Sequence, residues 1–333
     1  MESLYEKAHA IIEELKKREL EGEVWAFAEK KSLLYRSKIH RVLVGKDRGF
    51  AIRWRKERGG GFFFFSKDGR FDPDSYQMLI SDTINFPLPS SVKSNNVVVK
   101  DPAGITLLRE DLELSDNIVE YSEVERKVVL FNTKGLKGDY TETLFRYRYE
   151  EVPMFQYDVW TRKRSFINPL KGIEEGKIVL HPVVTYRVLS YLLSSQRKNF
   201  KELQFSIVEN PERDYAPGSY PFDAIGMEMK RRAIFRRGKF VSRAPVNYFR
   251  LEPALPPRIF WSNIELELPR VECDEFRIIK RIYIFKEEVA LGEDGEIIIK
   301  GGINELVSRI AGKIADGWYL GPPFIKSDYL LLE

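Results

Sequence analysis

Alternation of apolar and polar residues with a period of two is the sequence feature that most restricts how this chain can fold. In the segment 49–55, Phe50, Ile52 and Trp54 alternate with small or charged residues, which is typical of a half-buried antiparallel strand. Further strand-like segments recur along the chain, at 24–29, 33–44, 61–66, 125–131, 140–150, 155–162, 177–180, 205–208, 260–268, 276–285 and 296–300. A chain with this pattern is expected to build extended sheets.

Helical periodicity is confined to a few isolated segments. Residues 3–19 place apolar side chains on one face and charged ones opposite, which predicts an amphipathic opening helix. An Asp-Pro pair at 72–73 predicts the start of another helix, and further helices are expected after Pro182 and over 303–314. Because single helices alternate with runs of strands, the predicted class is α+β, with mostly antiparallel sheets and a few packed helices.

The length of 333 residues is enough for two domains that each bury a core. Pro153 and the charged run at 161–164 form the first marked break between strand-like segments. We therefore predict an N-terminal α+β domain at 1–160 and a C-terminal, mainly antiparallel β domain at 165–333.

The composition is typical of a soluble globular protein, and the expected location is the cytoplasm. Apolar residues make up 43% of the chain and charged residues 31%, and the single cysteine, Cys273, excludes a disulfide within it. The sequence has no apolar run long enough to span a membrane and no signal-peptide core near its start. The net charge of +4 is small for a dedicated nucleic-acid binder.

Residue types that usually carry metal or catalytic chemistry are few and scattered. The three histidines, His9, His40 and His181, have no spacing that would place two of them on one helix face as metal ligands. Asp223 follows two other acidic residues in sequence, but the surrounding prolines and glycines favour a loop-capping aspartate over an acid–base pair. The residues alone therefore predict no metal site and no catalytic residue in this chain.

Two segments carry the basic and aromatic residues that nucleic-acid binding uses. Residues 145–149 interleave aromatics with arginines, as a stacking platform would, but neighbouring glutamates favour a strand with its aromatics inward. Residues 230–239 form the densest basic cluster, on a predicted hairpin that turns at Arg237-Gly238. Such a basic hairpin could bind nucleic acid, a carboxylate-ended peptide or an acidic partner, or it could be merely solvated.

Several short motifs follow one another through the chain. Residues 207–211 read IVENP, residues 221–226 read PFDAIG, and residues 233–240 have a strand–glycine–strand rhythm. Three more motifs lie outside this stretch, at 47–53 (DRGFAIR), 131–142 (FNTKGLKGDYTE) and 257–263 (PRIFWSN). The series resembles, in the same order, the motifs of the TldD/PmbA family, whose members are known as candidate modulators of DNA gyrase. The resemblance covers most of the chain.

The resemblance draws attention to the helix that follows the strand at 177–180. Active TldD-like members carry H-E-x-x-x-H on that helix, whereas residues 182–196 here read PVVTYRVLSYLLSSQ, without histidine or glutamate. An acidic pair of the family pattern is also replaced, by Ala224 and Ile225. The chain is most similar to the TldE/PmbA type, the non-catalytic half of a two-subunit metallopeptidase that acts on peptides or unfolded segments. The resemblance thus implies no cofactor here, with zinc expected only in a TldD-like partner.

The resemblance also implies which residues would line a peptide groove or contact a partner: Phe222, Asp223, Gly226, Arg231 and Arg232. The expected partners are a TldD-like metal-bearing subunit, or a second copy of this chain, together with a peptide substrate. Membranes and nucleic acid are not expected partners. Two alternatives stay open, a nucleic-acid-associated binding protein that uses the hairpin at 230–239 and a stand-alone homodimeric scaffold.

Overall fold

The structure of the protein is a computed structural model. It describes residues 3–35, 41–56, 60–66, 71, 88–106, 118–152, 155–165, 169–194, 205–223, 226–236, 239–241, 262–285, 288–293, 296–321 and 324–333. The predicted helix start at 72–73, His40, the hairpin turn at 237–238 and most of the 257–263 motif lie outside these residues.

In the described residues, the first half of the chain contains one helix and six strands. They are α1 (Leu4–Lys17), β1 (Glu21–Tyr35), β2 (Arg41–Arg55), β3 (Gly60–Ser66), β4 (Ile118–Asn132), β5 (Lys137–Val152) and β6 (Phe155–Thr161). The second half begins with β7 (Lys177–Leu180), α2 (Pro182–Ser194), β8 (Ser206–Glu209), β9 (Arg232–Arg236), β10 (Lys239–Phe240) and β11 (Ile264–Glu267). It ends with β12 (Phe276–Ile279), β13 (Arg281–Phe285), β14 (Glu288–Glu293), β15 (Glu296–Gly302), α3 (Ile303–Ser308), β16 (Ile310–Leu320) and β17 (Ile325–Leu332).

Of the strands in the described ranges, fourteen form one sheet and three form another. The order in the large sheet is β10-β9-β8-β11-β17-β16-β6-β5-β4-β1-β2-β3, with β7 joining β17 and β12 joining β7; the small sheet is β13-β14-β15. Parallel pairing occurs at β11–β17 and β7–β12, and the other strand pairs are antiparallel. The α+β class with mostly antiparallel sheets is confirmed. The division at about residue 160 stays a prediction, and the large sheet runs through it because β6 pairs with β16.

Helix α1 covers one face of β1, β2 and β4. Its start is fixed by a capping box, in which the Glu6 N–H donates to the Ser3 hydroxyl and the Ser3 N–H donates to the Glu6 carboxylate. Its buried side chains pack on a group of inward strand residues that includes Val24, Phe50 and Ile52. The apolar residues that repeat every second position in the strands and those that repeat every 3.6 positions in α1 therefore pack into one apolar core.

Aromatic side chains fill a second core on the same side of the sheet. Phe145, Tyr147 and Tyr149 are buried, so the inward orientation expected for the aromatics of 145–149 is confirmed. Tyr157 stacks on Trp318 with a centroid distance of 5.8 Å, which joins strands from the two halves of the chain. A third core surrounds α2, with residues from the small sheet and α3.

Two sequence expectations need correction. The helix expected over 303–314 ends at Ser308, and Ile310 begins β16, because pairing with the fully buried β17 overrides the helix-like spacing of the apolar residues. The strand expected over 276–285 breaks at Lys280, so that β12 joins the large sheet and β13 the small one. None of the helices in the described ranges is long and apolar enough to cross a membrane.

Candidate functional site

The face of β1, β2, β4 and β5 opposite α1 carries buried charges and is here called the polar face. A row of cross-strand neighbours, Glu29, Arg126 and Glu142, lies on it. The Arg126 guanidinium contacts the Glu29 carboxylate at 2.9 Å and the Glu142 carboxylate at 3.4 Å. Alternation along β1 places Glu23 on the same face, and Arg53 of β2 is its cross-strand neighbour. Each of these charged side chains needs a fixed partner, because an unpaired buried charge destabilises the fold.

A segment from the second half of the chain crosses this face. The crossing segment comprises residues 211–229, apart from 224 and 225. Tyr215, Pro221 and Gly226 each share a backbone hydrogen bond of 2.9–3.0 Å with residues of the segment 88–99. The crossing segment therefore lies beside a second extended segment, and together they cover the polar face.

Arg162 ties the crossing segment to the polar face. Its buried guanidinium contacts the Glu142 carboxylate at 2.5 Å and donates to the carbonyls of Ala216 and Pro217 at 3.0 and 2.9 Å. It also lies over the Tyr220 ring, 4.8 Å from its centroid. One side chain thus satisfies a buried carboxylate and two turn carbonyls, which only the planar, multiply donating guanidinium can do.

Phe222 and Gly226 pack against the turn between β4 and β5. Phe222 is buried, and its ring meets that of Tyr140 edge-on at 5.2 Å. Gly226 has φ +82°, and a Cβ there would approach Leu136 Cδ1 to 2.5 Å. Both predicted contact residues therefore hold the crossing segment in place within this chain, and their role toward a peptide or a partner stays a prediction.

Asp223 closes the loop that Phe222 begins. Its Oδ1 accepts from the Met227 N–H at 2.9 Å, and its own N–H donates to the Met227 carbonyl at 2.9 Å. The loop-capping role expected from the sequence is confirmed.

Glu23 is a buried carboxylate that none of the sequence motifs indicates. It contacts Arg53 at 2.5 Å, and its Oε2 accepts no hydrogen bond from the described residues. Burial raises the pKa of Glu23, Arg53 partly offsets this increase, and the charge of Asp223 adds a smaller increase, so that the resulting pKa is about 7. Because Glu23 alternates with Val24 of the apolar core, the period-two pattern places it on the opposite face of β1 and gives no sign of its burial.

The arginines at the start of the predicted hairpin are engaged in ion pairs. Arg232 contacts the buried carboxylate of Glu209 at 2.5 Å, and Arg231 pairs with Glu267 at a more exposed position. The other oxygen of Glu209 accepts from the Ser262 N–H at 2.8 Å. Pairing of β9 with β10 confirms the hairpin. As contacts to a peptide or a partner, Arg231 and Arg232 stay predictions.

Asn263, a residue of the 257–263 motif, joins the crossing segment to β8 and β11. Its Oδ1 accepts from the Gly218 N–H at 2.7 Å, and its Nδ2 donates to the Asn210 carbonyl at 3.1 Å and to the Ser219 hydroxyl at 2.6 Å. A Cβ on Gly218 would lie 2.8 Å from the Asn263 nitrogen. Motifs that are about 50 residues apart in the sequence thus meet at one buried point.

Helix α2 is a packing element. Val184, Val188 and Leu192 are buried in the third core, and Thr185 donates to the Asp328 carbonyl at 2.9 Å. His181 precedes the helix, accepts from the Val183 N–H at 3.3 Å, and is enclosed by aromatic rings. The described residues contain no group of three or more His, Cys, Asp or Glu side chains placed to hold a metal ion.

Comparison with known proteins places this geometry in a known fold. No family model and no curated protein matches the sequence. Among solved structures, the chain is similar to a candidate modulator of DNA gyrase from Bacteroides thetaiotaomicron, with 13% identity, a TM-score of 0.65 and coverage of 99% of this chain and 97% of that chain. A second such protein, from Thermotoga maritima, has 13% identity, a TM-score of 0.64 and coverage of 99% of each chain.

The third similar structure is TldE from Thermococcus kodakarensis. It has 12% identity and a TM-score of 0.61, and the alignment covers 98% of each chain. These likenesses extend over nearly the whole chain, and at such low identity they establish the fold. The chain therefore has the fold of TldE and of the candidate modulators of DNA gyrase, the group that its sequence motifs resemble.

Proposed function

We propose that this chain is a non-catalytic, TldE/PmbA-like subunit that pairs with a metal-bearing TldD-like subunit to form a peptidase. In this complex the partner supplies the zinc and the hydrolytic step. This chain supplies one wall of the chamber that receives a peptide or an unfolded segment. Its contribution is binding and shape.

The observation that carries the proposal is the composition of α2. The helix follows β7, as the H-E-x-x-x-H helix does in active TldD-like proteins, but here its buried positions are apolar and pack into the core. A zinc-binding helix needs two imidazoles one turn apart and a carboxylate between them. This helix offers neither, so hydrolysis is assigned to another polypeptide.

Ion pairs at 230–232 favour this proposal over binding of nucleic acid. Lys230 contacts Glu228 at 3.1 Å, Arg231 contacts Glu267 of β11, and Arg232 contacts Glu209 of β8. These carboxylates offset the positive charge that would otherwise attract phosphate. Binding of duplex DNA by this chain that weakens steeply with added salt, and weakens further in Arg231→Ala, would support the alternative instead.

The direct test compares this chain alone with the chain co-expressed with a TldD-like subunit that carries H-E-x-x-x-H. We expect the two to co-elute, zinc to be found only in the partner, and cleavage of a fluorogenic unfolded substrate only by the pair. A partner whose motif histidines are changed to alanine is the control for the source of the activity. Stoichiometric zinc and unaided cleavage by this chain would refute the proposal.

A variant at the predicted contact surface refines the test. Arg231→Ala is expected to keep the fold, because its ion pair with Glu267 is half exposed and such pairs contribute about 0–1 kcal/mol. If Arg231 contacts the partner, the variant loses co-elution while Lys239→Ala, at another exposed basic position of the hairpin, retains it. Formation of a stable homodimer that does not bind the TldD-like chain would favour the scaffold alternative.

A further inference from the structure

The small sheet presents an edge that no other described strand covers. Within the described part of the chain, β13 pairs with β14 alone. The Ile282 carbonyl accepts a hydrogen bond of 3.1 Å from the Arg187 guanidinium of α2, so this carbonyl points toward the edge. Backbone groups alternate in direction along an antiparallel strand, so those of Ile284 point to the same edge. A strand edge with outward N–H and C=O groups is a template for another extended chain.

Large apolar side chains accompany this edge. Tyr283 is 61% exposed and Phe285 is 72% exposed, and the two lie on one face of β13 because they are two residues apart. The cross-strand neighbour of Tyr283 is the small Ala290 and that of Phe285 is Glu288, and a groove of about 420 Å³ opens beside the two aromatic side chains. Exposed aromatics at alternate positions of an edge that no described strand covers are more typical of a binding strand than of a protected surface strand.

Charge in the groove indicates the chemistry of its occupant. Two cationic side chains, Arg187 and Lys300, line the groove, and Glu288 is the single carboxylate among its described lining residues. Lys300 is the cross-strand neighbour of Ala290, so its ammonium group belongs to the same face as the exposed aromatics. The groove therefore favours a ligand with apolar side chains and at least one carboxylate.

We propose that β13 is a docking strand for an extended, acidic peptide, which adds to the small sheet by main-chain pairing with Ile284 and with the N–H of Ile282, while the Ile282 carbonyl keeps its hydrogen bond from Arg187. Alternate apolar side chains of the peptide contact Tyr283 and Phe285, and a carboxylate faces Arg187 and Lys300. This mode is β-strand addition, in which the main chain supplies affinity and alternate side chains supply selectivity. Its biological purpose rests on the proposed function, since it would hold a peptide for the partner's zinc, but binding itself needs only this chain.

The test uses the purified full chain and a fluorescein-labelled octapeptide that alternates valine and threonine and ends in two glutamates. We expect a rise in fluorescence anisotropy with this probe and a Kd at least about tenfold weaker for a twin that ends in two lysines. The double variant Y283S/F285S is expected to weaken binding by at least about tenfold. Ile297→Ser, which changes a similarly exposed apolar side chain (63%) on β15, is the matched control and should bind as the parent does.

Two N-methylated versions of the peptide test the main-chain pairing directly. Methyl groups on alternate residues remove the N–H groups that face one side of the peptide, so only one of the two registers should abolish binding. Equal binding of both registers, or equal binding by Y283S/F285S and the parent, would overturn the docking strand. A homodimer that dissociates in Y283S/F285S without any peptide would overturn it too, because the edge would then belong to a second copy. Peptide binding without cleavage in the TldD-like pair would refute the proposed function alone.

Discussion

The two faces of β1, β4 and β5 are filled by different means, although the same strands build both. On one face α1 and the strand residues form an apolar core, with Leu15 and Phe50 fully buried. On the polar face, Arg162 and Glu142 hold the crossing segment through an ion pair and directed hydrogen bonds. The stability of the apolar core depends mainly on the total volume of its side chains, so side chains of similar volume can replace one another. The polar face instead needs one particular set of hydrogen-bond donors and acceptors. The second face is thus the less tolerant of substitution and the more specific.

Removal of the Arg162 guanidinium is expected to have the largest effect. Arg162→Met leaves the buried Glu142 carboxylate without its closest cation and two carbonyls without donors, which we expect to lower the free energy of unfolding by about 3–5 kcal/mol. Urea denaturation measures the loss. Lys171→Met, at an exposed position, is the control and should change stability by less than about 0.5 kcal/mol. A loss at Arg162 of under about 1 kcal/mol would show that the polar face is not held in this way.

The apolar face should respond to volume instead. Leu15→Ala is expected to cost about 2–5 kcal/mol, because it leaves a cavity between α1 and the sheet. Leu15→Met, which nearly conserves volume, should cost less than about 1.5 kcal/mol. By contrast, Arg162→Lys conserves charge and should still destabilise strongly, because an ammonium group cannot reproduce the guanidinium geometry. Equal tolerance of Leu15→Met and Arg162→Lys would remove the distinction between the two faces.

Glu23 makes the polar face sensitive to pH. Its folded pKa of about 7 lies above the ordinary value of 4.5, so between these values the unfolded chain binds fewer protons than the folded one. Stability from this group is present below about pH 4.5 and is lost as the pH rises toward 7. Because Glu23→Gln cannot titrate, we expect its stability relative to the parent to rise by on the order of 1–3 kcal/mol between pH 4.5 and pH 8.

Urea denaturation at several pH values measures this difference. Glu21→Gln is the control of opposite sign. The side-chain hydrogen bond from Lys134, together with Arg55, lowers the pKa of Glu21, so its contribution is lost as the pH falls. Parallel pH profiles for the parent and Glu23→Gln would contradict the prediction.

The smallest expected effect is at Gly226. Ala cannot easily adopt φ +82°, and its Cβ would contact Leu136, so Gly226→Ala should cost about 1–2 kcal/mol. Gly45→Ala is the matched control, since a Cβ there would make only ordinary contacts with the Lys31 side chain. Thermal or urea unfolding distinguishes them, and equal stabilities would show that the loop at 222–227 adjusts without cost.

The sequence predicts local elements of this fold well. α1, the strand at 49–55, the hairpin of β9 and β10 and the helix after Pro182 all follow from periodicity, caps and turns. Periodicity was misleading over 303–314, where Ile310 and Ile314 suit a helix but belong to β16. The outcome there depends on pairing with β17, which no local pattern reveals.

The buried charges of the candidate site were not predictable in the same way. Arg162 appeared in the sequence as part of a charged run at a domain break, yet its side chain is fully enclosed. Its partners, Glu142 and the carbonyls of 216 and 217, lie 20 to 55 residues away along the chain. The pairing of β5 with β6 brings Arg162 to Glu142, and the crossing segment brings the two carbonyls to Arg162. Sequence spacing encodes neither of these.

The junction between β6 and β16 has a mechanical consequence. In the described part of the sheet, two residue pairs join these strands, Tyr319 with Trp160 and Leu320 with Val159. By contrast, β4 and β5 are paired over more than a dozen residue pairs. A short junction between long ladders is where a sheet bends or shears first, because few hydrogen bonds resist displacement. Amide protons at this junction should therefore exchange with solvent before those of β4.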